Sequence, residues 1–391
     1  MEASLYVHVP FCAGACDYCD FYSVSAGRKD PRLDAYVPKL LEEVAESLTL
    51  FGVQAVPTVF IGGGTPSLLG SARIRALLDG LAELLPSRPL EFTMEANPES
   101  VDAAFIDACG EGGVDRLSVG IQSLDPRARR EVGRIGPGES VAAALDLIRS
   151  RFRGRLSVDL ISGLPSQDEA SLLSDIAAVV SAGADHVSLY SLTLGEGTPL
   201  AARSAAGTVR LPSGDAADEL WISGRDELER LGLGQYEISN FARPGSECLH
   251  NLRYWRMESW LGCGPAASRT VVDEPSATAV RLTRERDVDA WLAGSGAGEE
   301  ERIGTKDLIA ETLLMSFRLK EGIAAGLFRS RFGVPPEFFI GRTLGLWRSR
   351  GLARADAVAL GRDGLLLLDR FLVDCLAELD GSYCRYEESR R

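Results

Sequence analysis

The chain has 391 residues, 45% apolar and 25% charged, which excludes disorder as its main state and leaves room for two to three domains, or one large α/β domain and a smaller one. Its 42 Lys and Arg against 56 Asp and Glu give a net charge of −14, which argues against nucleic acid as a partner because phosphate contacts need a basic face. No apolar run approaches the roughly 18 residues of a membrane span, and the opening MEASLYVHVPFC lacks the basic and apolar regions of a signal peptide, so the expectation is a cytoplasmic protein with reduced thiols.

Strand candidates occur at 4–9, 55–62, 90–95, 114–120, 155–161 and 185–191. Between them, Val37, Leu40, Leu41, Val44 and Leu48 share one helical face, as do Ile74, Leu77, Leu78, Leu81 and Leu84, and Leu172, Leu173, Ile176, Val179 and Val180. Six βα units in succession predict a parallel sheet that right-handed crossovers curl into a partial (β/α)6 barrel, an α/β fold. Past residue 200 the pattern gives a helix near 214–231, and GSGAGEEERIG (294–304) reads as a linker. Leu308, Ile309, Leu313 and Phe317 mark a further helix, and GLLLLDRFLVDCLAEL (364–379) reads as a strand or wing running into a final helix. The expected division is a core over 1–240, a connecting segment over 241–300 and a small α+β, winged-helix-like module over 301–391.

Cys12, Gly62 to Gly64, Glu95, Gln122, Asp159 and Tyr190 each lie at or just past the end of a different strand candidate. In a βα barrel those ends meet on one rim, so six separate positions converge on one pocket. Of eight cysteines, Cys12, Cys16 and Cys19 crowd into a C-x3-C-x2-C loop. Thiolates suit iron–sulfur clusters and zinc, and a structural zinc site takes four ligands. A fourth is missing nearby: position 21 is Phe and His8 sits inside a strand. Three thiolates fit a [4Fe–4S] cluster with one iron open, with zinc or inert buried thiols as the alternatives. The glycine triplet lets backbone approach a ligand closely, or simply makes a tight strand-to-helix turn. Glu95, Gln122 and Asp159 are polar groups at the ends of apolar strands, where burial without a partner is costly.

The cysteine loop after a first strand resembles the radical S-adenosylmethionine (SAM) superfamily, in which three cysteines hold a [4Fe–4S] cluster and the amino and carboxylate groups of SAM chelate the fourth iron. GGGTPS (62–67), EANP (95–98), VGIQSLD (119–125) and VDLISGLP (158–165) are similar to the branch that contains oxygen-independent coproporphyrinogen III dehydrogenase and the haem chaperones. The resemblance extends through YEISNFARPG (236–245) to the C-terminal module. It implies that Gly63, Gly64 and Thr65 border the methionine part of SAM, and that Glu95, Gln122 and Asp159 contact its amino or ribose hydroxyl groups. It further implies that Arg134, in EVGRIG, faces the SAM carboxylate, and that Tyr6 and Tyr18 flank the cluster and the adenosyl group. Taken alone, Arg134 reads equally as a surface arginine near Arg127, Arg129 and Arg130, and the tyrosines as core. The implied chemistry is reductive cleavage of SAM, with an external electron donor feeding the cluster and a 5′-deoxyadenosyl radical released.

Two features separate the chain from the dehydrogenase. That enzyme has a fourth cysteine where this chain has Phe21, and a substantial extension before the cluster loop, whereas eleven residues precede Cys12 here. HNLRYW (250–255) is similar to the HNxxYW pattern of the haem chaperones, which implies His250 as a ligand to haem iron with Tyr254 and Trp255 against the porphyrin; plain packing is the alternative. Two histidines usual in the chaperones are Gly136 and Ser268 here, and Cys248 and Cys263 nearby read as a thiolate ligand or as buried apolar cysteines. The resemblance therefore implies a chaperone that binds a [4Fe–4S] cluster, SAM and haem, and hands haem to client haem proteins, respiratory and membrane-associated ones among them. The alternatives are the dehydrogenase itself, which decarboxylates two propionates in porphyrin biosynthesis, and another radical-SAM reaction with HNLRYW merely structural. No catalytic residue is assigned.

Overall fold

Strands β1 (Ser4–Val9), β2 (Thr58–Gly63), β3 (Glu91–Ala96), β4 (Arg116–Gln122), β5 (Arg155–Ser162) and β6 (His186–Ser191) lie side by side in that order, all parallel. They belong to a computed structural model that describes residues 1–134 and 138–390; Gly136 lies outside these. Because helices cover the outer face, the strands bury near-continuous apolar runs. Leu5, Val7, Val59, Ile61, Leu117, Val158 and Leu189 form one core with Leu40 and Val44 of the helix Arg32–Leu50 and with Leu77 and Leu78 of the helix Ser71–Leu84. The second strand begins at Thr58 rather than at 55, since Pro57 has no N–H for the ladder.

The sheet continues past both edges of the six strands. On one side β8 (Asn240–Ala242) pairs antiparallel with β6, and β7 (Gly234–Gln235) pairs antiparallel with β8 at the edge. On the other, β9 (Trp260–Cys263) pairs parallel with β1, and β10 (Ser268–Asp273), β11 (Thr278–Arg284) and β12 (Gly298–Ile303) follow as an antiparallel meander. The barrel is therefore partial, and the segment 241–300 supplies three full strands and parts of two more to the sheet. The linker expected at 294–304 is largely the edge strand β12. Its Glu299, Glu300 and Glu301 are all exposed, so no apolar alternation announces it, and the charges discourage further edge pairing.

The C-terminal module packs the helices Thr305–Ser316, Ala325–Phe332, Glu337–Ser349 and Leu368–Arg390 around Leu313, Phe317, Phe328, Phe339, Trp347 and Phe371. Of the strand or wing running into a final helix expected at 364–379, the helix is observed as Leu368–Arg390 and the part before it is helical too. A short apolar run does not by its period distinguish a strand from a helix, and here Leu366 and Leu367 are exposed where one helix hands over to the next. The strand-like pairing near it is a bridge from Ala353 to Leu360. Among the described residues no helix is long and apolar enough to cross a membrane.

The two cores meet beneath the barrel, at the N-terminal ends of the parallel strands. Glu91, the first residue of β3, is fully buried there. It accepts hydrogen bonds from the amides of Leu249 (3.1 Å) and His250 (3.0 Å) and pairs with Arg116 (3.0 Å) and Arg155 (3.5 Å). Arg116 also donates to the carbonyls of Ser246 and Glu247, each at 3.0 Å. The carboxylate thus satisfies the free amides at the start of the helix Leu249–Trp255. At the far end of that helix, the Trp255 carbonyl accepts from Ser316 (3.2 Å) and the Arg318 guanidinium lies 5.6 Å from the Trp255 ring, which joins the C-terminal module to the barrel.

Burial by itself would raise the Glu91 pKa, but Arg116 and the two amides outweigh it and hold the group below its ordinary value. Its stabilisation is therefore present above the ordinary carboxylate range and lost as pH falls through the depressed folded value. Glu91→Ala strands two arginines and two amides, and is expected to cost about 3–5 kcal/mol in urea unfolding of the cluster-free chain near neutral pH. Glu299→Ala on the exposed edge should stay within about 0.5 kcal/mol. Equal stability of the two variants would contradict this account of the floor.

Candidate functional site

At the opposite ends of the same strands a cavity of about 350 Å3 opens on the rim. Its walls carry Cys12, Tyr18, Gly63, Glu95, Gln122, Asp159 and Tyr190, so every strand of the barrel contributes directly or through the loop that follows it. Cys16, Cys19, Gly64, Asn97 and Arg134 complete it. The convergence expected from the strand ends is the arrangement observed, except that Gly62 is not in the wall.

Cys12, Cys16 and Cys19 are free and half-exposed. Among the described residues no three His, Cys, Asp or Glu side chains sit closely enough to hold a single metal ion. The three thiols line one cavity, and thiolates suit an iron–sulfur cluster. Donors stand beside two of them: the Thr65 hydroxyl lies 3.4 Å from Cys12 Sγ, and Arg134 Nη1 lies 3.5 Å from Cys16 Sγ. Between these, the Asn97 side chain donates to Thr65 Oγ1 (2.9 Å) and accepts from Arg134 Nη2 (3.0 Å).

Each glycine of the triplet is required by its protein neighbours. A Cβ on Gly62 would lie 2.7 Å from the Glu95 carboxyl, one on Gly63 would lie 2.5 Å from the His8 ring, and one on Gly64 would lie 2.7 Å from the Phe11 carbonyl. Gly63 also has φ +107, where a side chain is strained. The tight turn thus accounts for the triplet, while Gly63 and Gly64 form cavity wall as well. The Gly63 amide donates to Glu95 Oε2 at 2.9 Å. Gln122 has φ +69 at a register shift between β4 and β5, a bulge that turns the end of the strand towards the cavity.

Burial and then the nearby Asp159 push Glu95 up to about 8, against the Gly63 amide. Burial raises Asp159 to about 6, opposed by the hydroxyls of Ser188 and Ser118 and by Arg134. Around neutral pH Glu95 keeps its proton, and a cationic amine or a pair of hydroxyls would suit the two carboxyls.

Tyr18 lines the cavity and Tyr6 does not; the Tyr6 hydroxyl lies 2.9 Å from His8 Nδ1 and its ring 6.2 Å from Phe60. His250 is at the floor. Its ring is 1% exposed, its Nδ1 lies 2.8 Å from the Thr58 hydroxyl, and burial lowers its pKa to about 3. Thr58 and Gly63 are the two ends of β2, about 16 Å apart at the rise of a parallel strand. Where His250 was expected to meet haem iron, the ring faces Phe60 and Tyr254 at 5.2 and 4.8 Å inside the floor, with its Nε2 buried and without a hydrogen-bond partner among the described residues. Cys248 and Cys263 are likewise buried, with burial raising both thiols, and Cys248 donates to Glu91.

Two features escape the reading of motifs. Asn97 lies within EANP, two residues after Glu95, and only the folded loop reveals its partners. Arg129, from a run that reads as surface, is 2% exposed and pairs with Glu99 at 2.7 Å.

Because the folded Glu95 binds its proton up to about 8 and the unfolded one releases it near 4.5, ionising it costs the folded chain stability as pH rises between these values. Glu95→Gln removes that penalty. In the chain without cluster or SAM, the variant should gain on wild type by up to about 1.4 kcal/mol per pH unit across this window. A pH-independent difference in unfolding free energy would contradict the raised pKa.

Residues 6–179 match the model of the radical SAM superfamily. The chain is 36% identical over 387 residues to mouse radical S-adenosyl methionine domain-containing protein 1, a mitochondrial protein, covering 94% of this chain and 82% of that one. It is 36% identical to the haem chaperone HemW of Escherichia coli over 321 residues, 81% of this chain and 83% of the relative. With HemW of Mycobacterium tuberculosis the identity is 35% over 331 residues, 82% of each. Among solved structures, coproporphyrinogen III oxidase (HemN) of Escherichia coli, a radical SAM enzyme, superposes with a TM-score of 0.78 at 21% identity, covering 96% of this chain and 90% of that one; at that identity the match speaks for the fold alone. Cavity, thiols and relatives agree, and the chain belongs to the radical SAM superfamily, in the family of the haem chaperone HemW.

Proposed function

We propose that this protein is a haem chaperone that carries a [4Fe–4S] cluster on Cys12, Cys16 and Cys19, binds SAM at the iron left open, and delivers haem to client haem proteins. The observation that carries the reading is the 35–36% identity to HemW proteins over more than 80% of each chain. In a cell we place it in the cytoplasm, with respiratory haem proteins, membrane-bound ones included, as clients and a reductant serving the cluster.

The donor set supports the SAM site. A cluster on the three thiols would supply single electrons to a ligand at its open iron. Arg134, held beside Cys16, suits a carboxylate. Glu95 and Asp159 suit an ammonium and ribose hydroxyls, and Glu95 would release its proton as the cation arrives. Gly63 and Gly64 give a wall without side chains, Thr65 stands at Cys12, and Gln122 and Tyr18 border the adenosyl space. Tyr6 would act from below, through His8. Haem ligation by His250 is not part of the proposal, because that ring is enclosed at the floor.

The shared fold with coproporphyrinogen III oxidase is compatible with the alternative reading, since one fold hosts more than one function. The cluster-loaded protein is expected to bind haem saturably, read from the Soret band, and to form no protoporphyrinogen from coproporphyrinogen with SAM and reductant. Formation of protoporphyrinogen would overturn the chaperone reading. His250→Ala should bind haem as tightly as wild type while melting at a lower temperature; loss of haem binding by a folded variant would restore the histidine as a ligand.

A further inference from the structure

We propose that Asn97 is a positioning residue that sets the reduction potential of the cluster, by fixing the direction in which the Thr65 hydroxyl points; this rests on the reading that Cys12, Cys16 and Cys19 hold that cluster. A guanidinium only donates, so the Asn97 atom 3.0 Å from Arg134 Nη2 is the carbonyl oxygen. The other end of the amide is then NH2, and it donates to Thr65 Oγ1 at 2.9 Å. Thr65 accepts there, which leaves its single proton for its other close partner, Cys12 Sγ at 3.4 Å. With Thr65 only 3% exposed, bulk water does not compete for that proton.

The relay is held from several sides. The Asn97 amide N–H donates to Ser67 Oγ at 3.2 Å, and Ser67 is bonded to Ser100. Arg134 donates to the Gly120 carbonyl and lies 3.9 Å from Glu99, whose other partner is the buried Arg129 at 2.7 Å. The same guanidinium reaches Cys16 Sγ at 3.5 Å. One side-chain amide therefore orients donors at two of the three thiols. Donors to a ligating sulfur favour the more negatively charged, reduced state of a cluster, and so raise its potential.

The test is a redox titration of the reconstituted protein followed by electron paramagnetic resonance, with iron content checked for each variant. Thr65→Val removes the hydroxyl, and Asn97→Leu removes the group that points it. Both should shift the midpoint to a more negative potential, Thr65→Ser should restore the wild-type value, and the double variant should shift by less than the sum of the singles. Asn97→Ala is read in place of Asn97→Leu if leucine prevents assembly. A wild-type midpoint in a fully loaded Asn97 variant would overturn the proposal, as would a shift in Thr65→Val that no Asn97 variant shares. Failure of both Asn97 variants to hold a cluster that Thr65→Val holds would also overturn it, by making Asn97 a requirement for assembly. A wild-type chain that assembles no cluster would instead sink the underlying reading of the three cysteines.

Discussion

The buried carboxylate of Glu91 fixes the relation between the parts of this molecule. It stands where the third strand begins, gathers two arginines, and offers its remaining capacity to the amides that open the helix Leu249–Trp255. A buried ion pair is a poor source of net stability compared with apolar packing of the same shape. Its use here is geometric: an anion at a helix start gives that helix one position and one direction. The helix then closes the floor of the barrel and passes the chain to the C-terminal core through Trp255 and Ser316.

With the floor closed by packing, the open chemistry gathers at the other end. Parallel strands deliver all their C-terminal ends to one rim, where a loop of three thiols, the glycines Gly63 and Gly64 and two carboxyls face one cavity. The rim keeps several groups in costly positions. Gln122 is held at positive φ, and Glu95 and Asp159 are kept where ionisation is costly. Such local conflicts are expected where a fold makes room for a ligand. In the proposed reading, a cationic ligand would relieve the two carboxyls together.

Much of this was legible in the residues. A polar or glycine residue at the end of each apolar strand pointed to the rim, because strand polarity needs only the order of βα units to be known. Edges were less legible: Pro57 delayed a strand, and the fully charged face of β12 hid one altogether. The run at 365–368 lacked a period that separates helix from strand. The surroundings of His250 were hidden for a different reason: a motif carries residue types but not burial, and the histidine that suggests a metal ligand is one that Thr58 and Phe60 enclose. Asn97 and Arg129 were hidden because their partners come from separate loops that only the folded rim brings together.

The proposed site brings the three cysteines, one open iron and SAM together in the rim cavity. Electron–nuclear double resonance on the reduced, cluster-loaded protein tests it most directly, using SAM labelled at its carboxylate oxygens and amino nitrogen. The account predicts hyperfine coupling from both labels to one iron of the cluster. Absence of both couplings, with the cluster fully assembled and SAM shown to be bound, would contradict it.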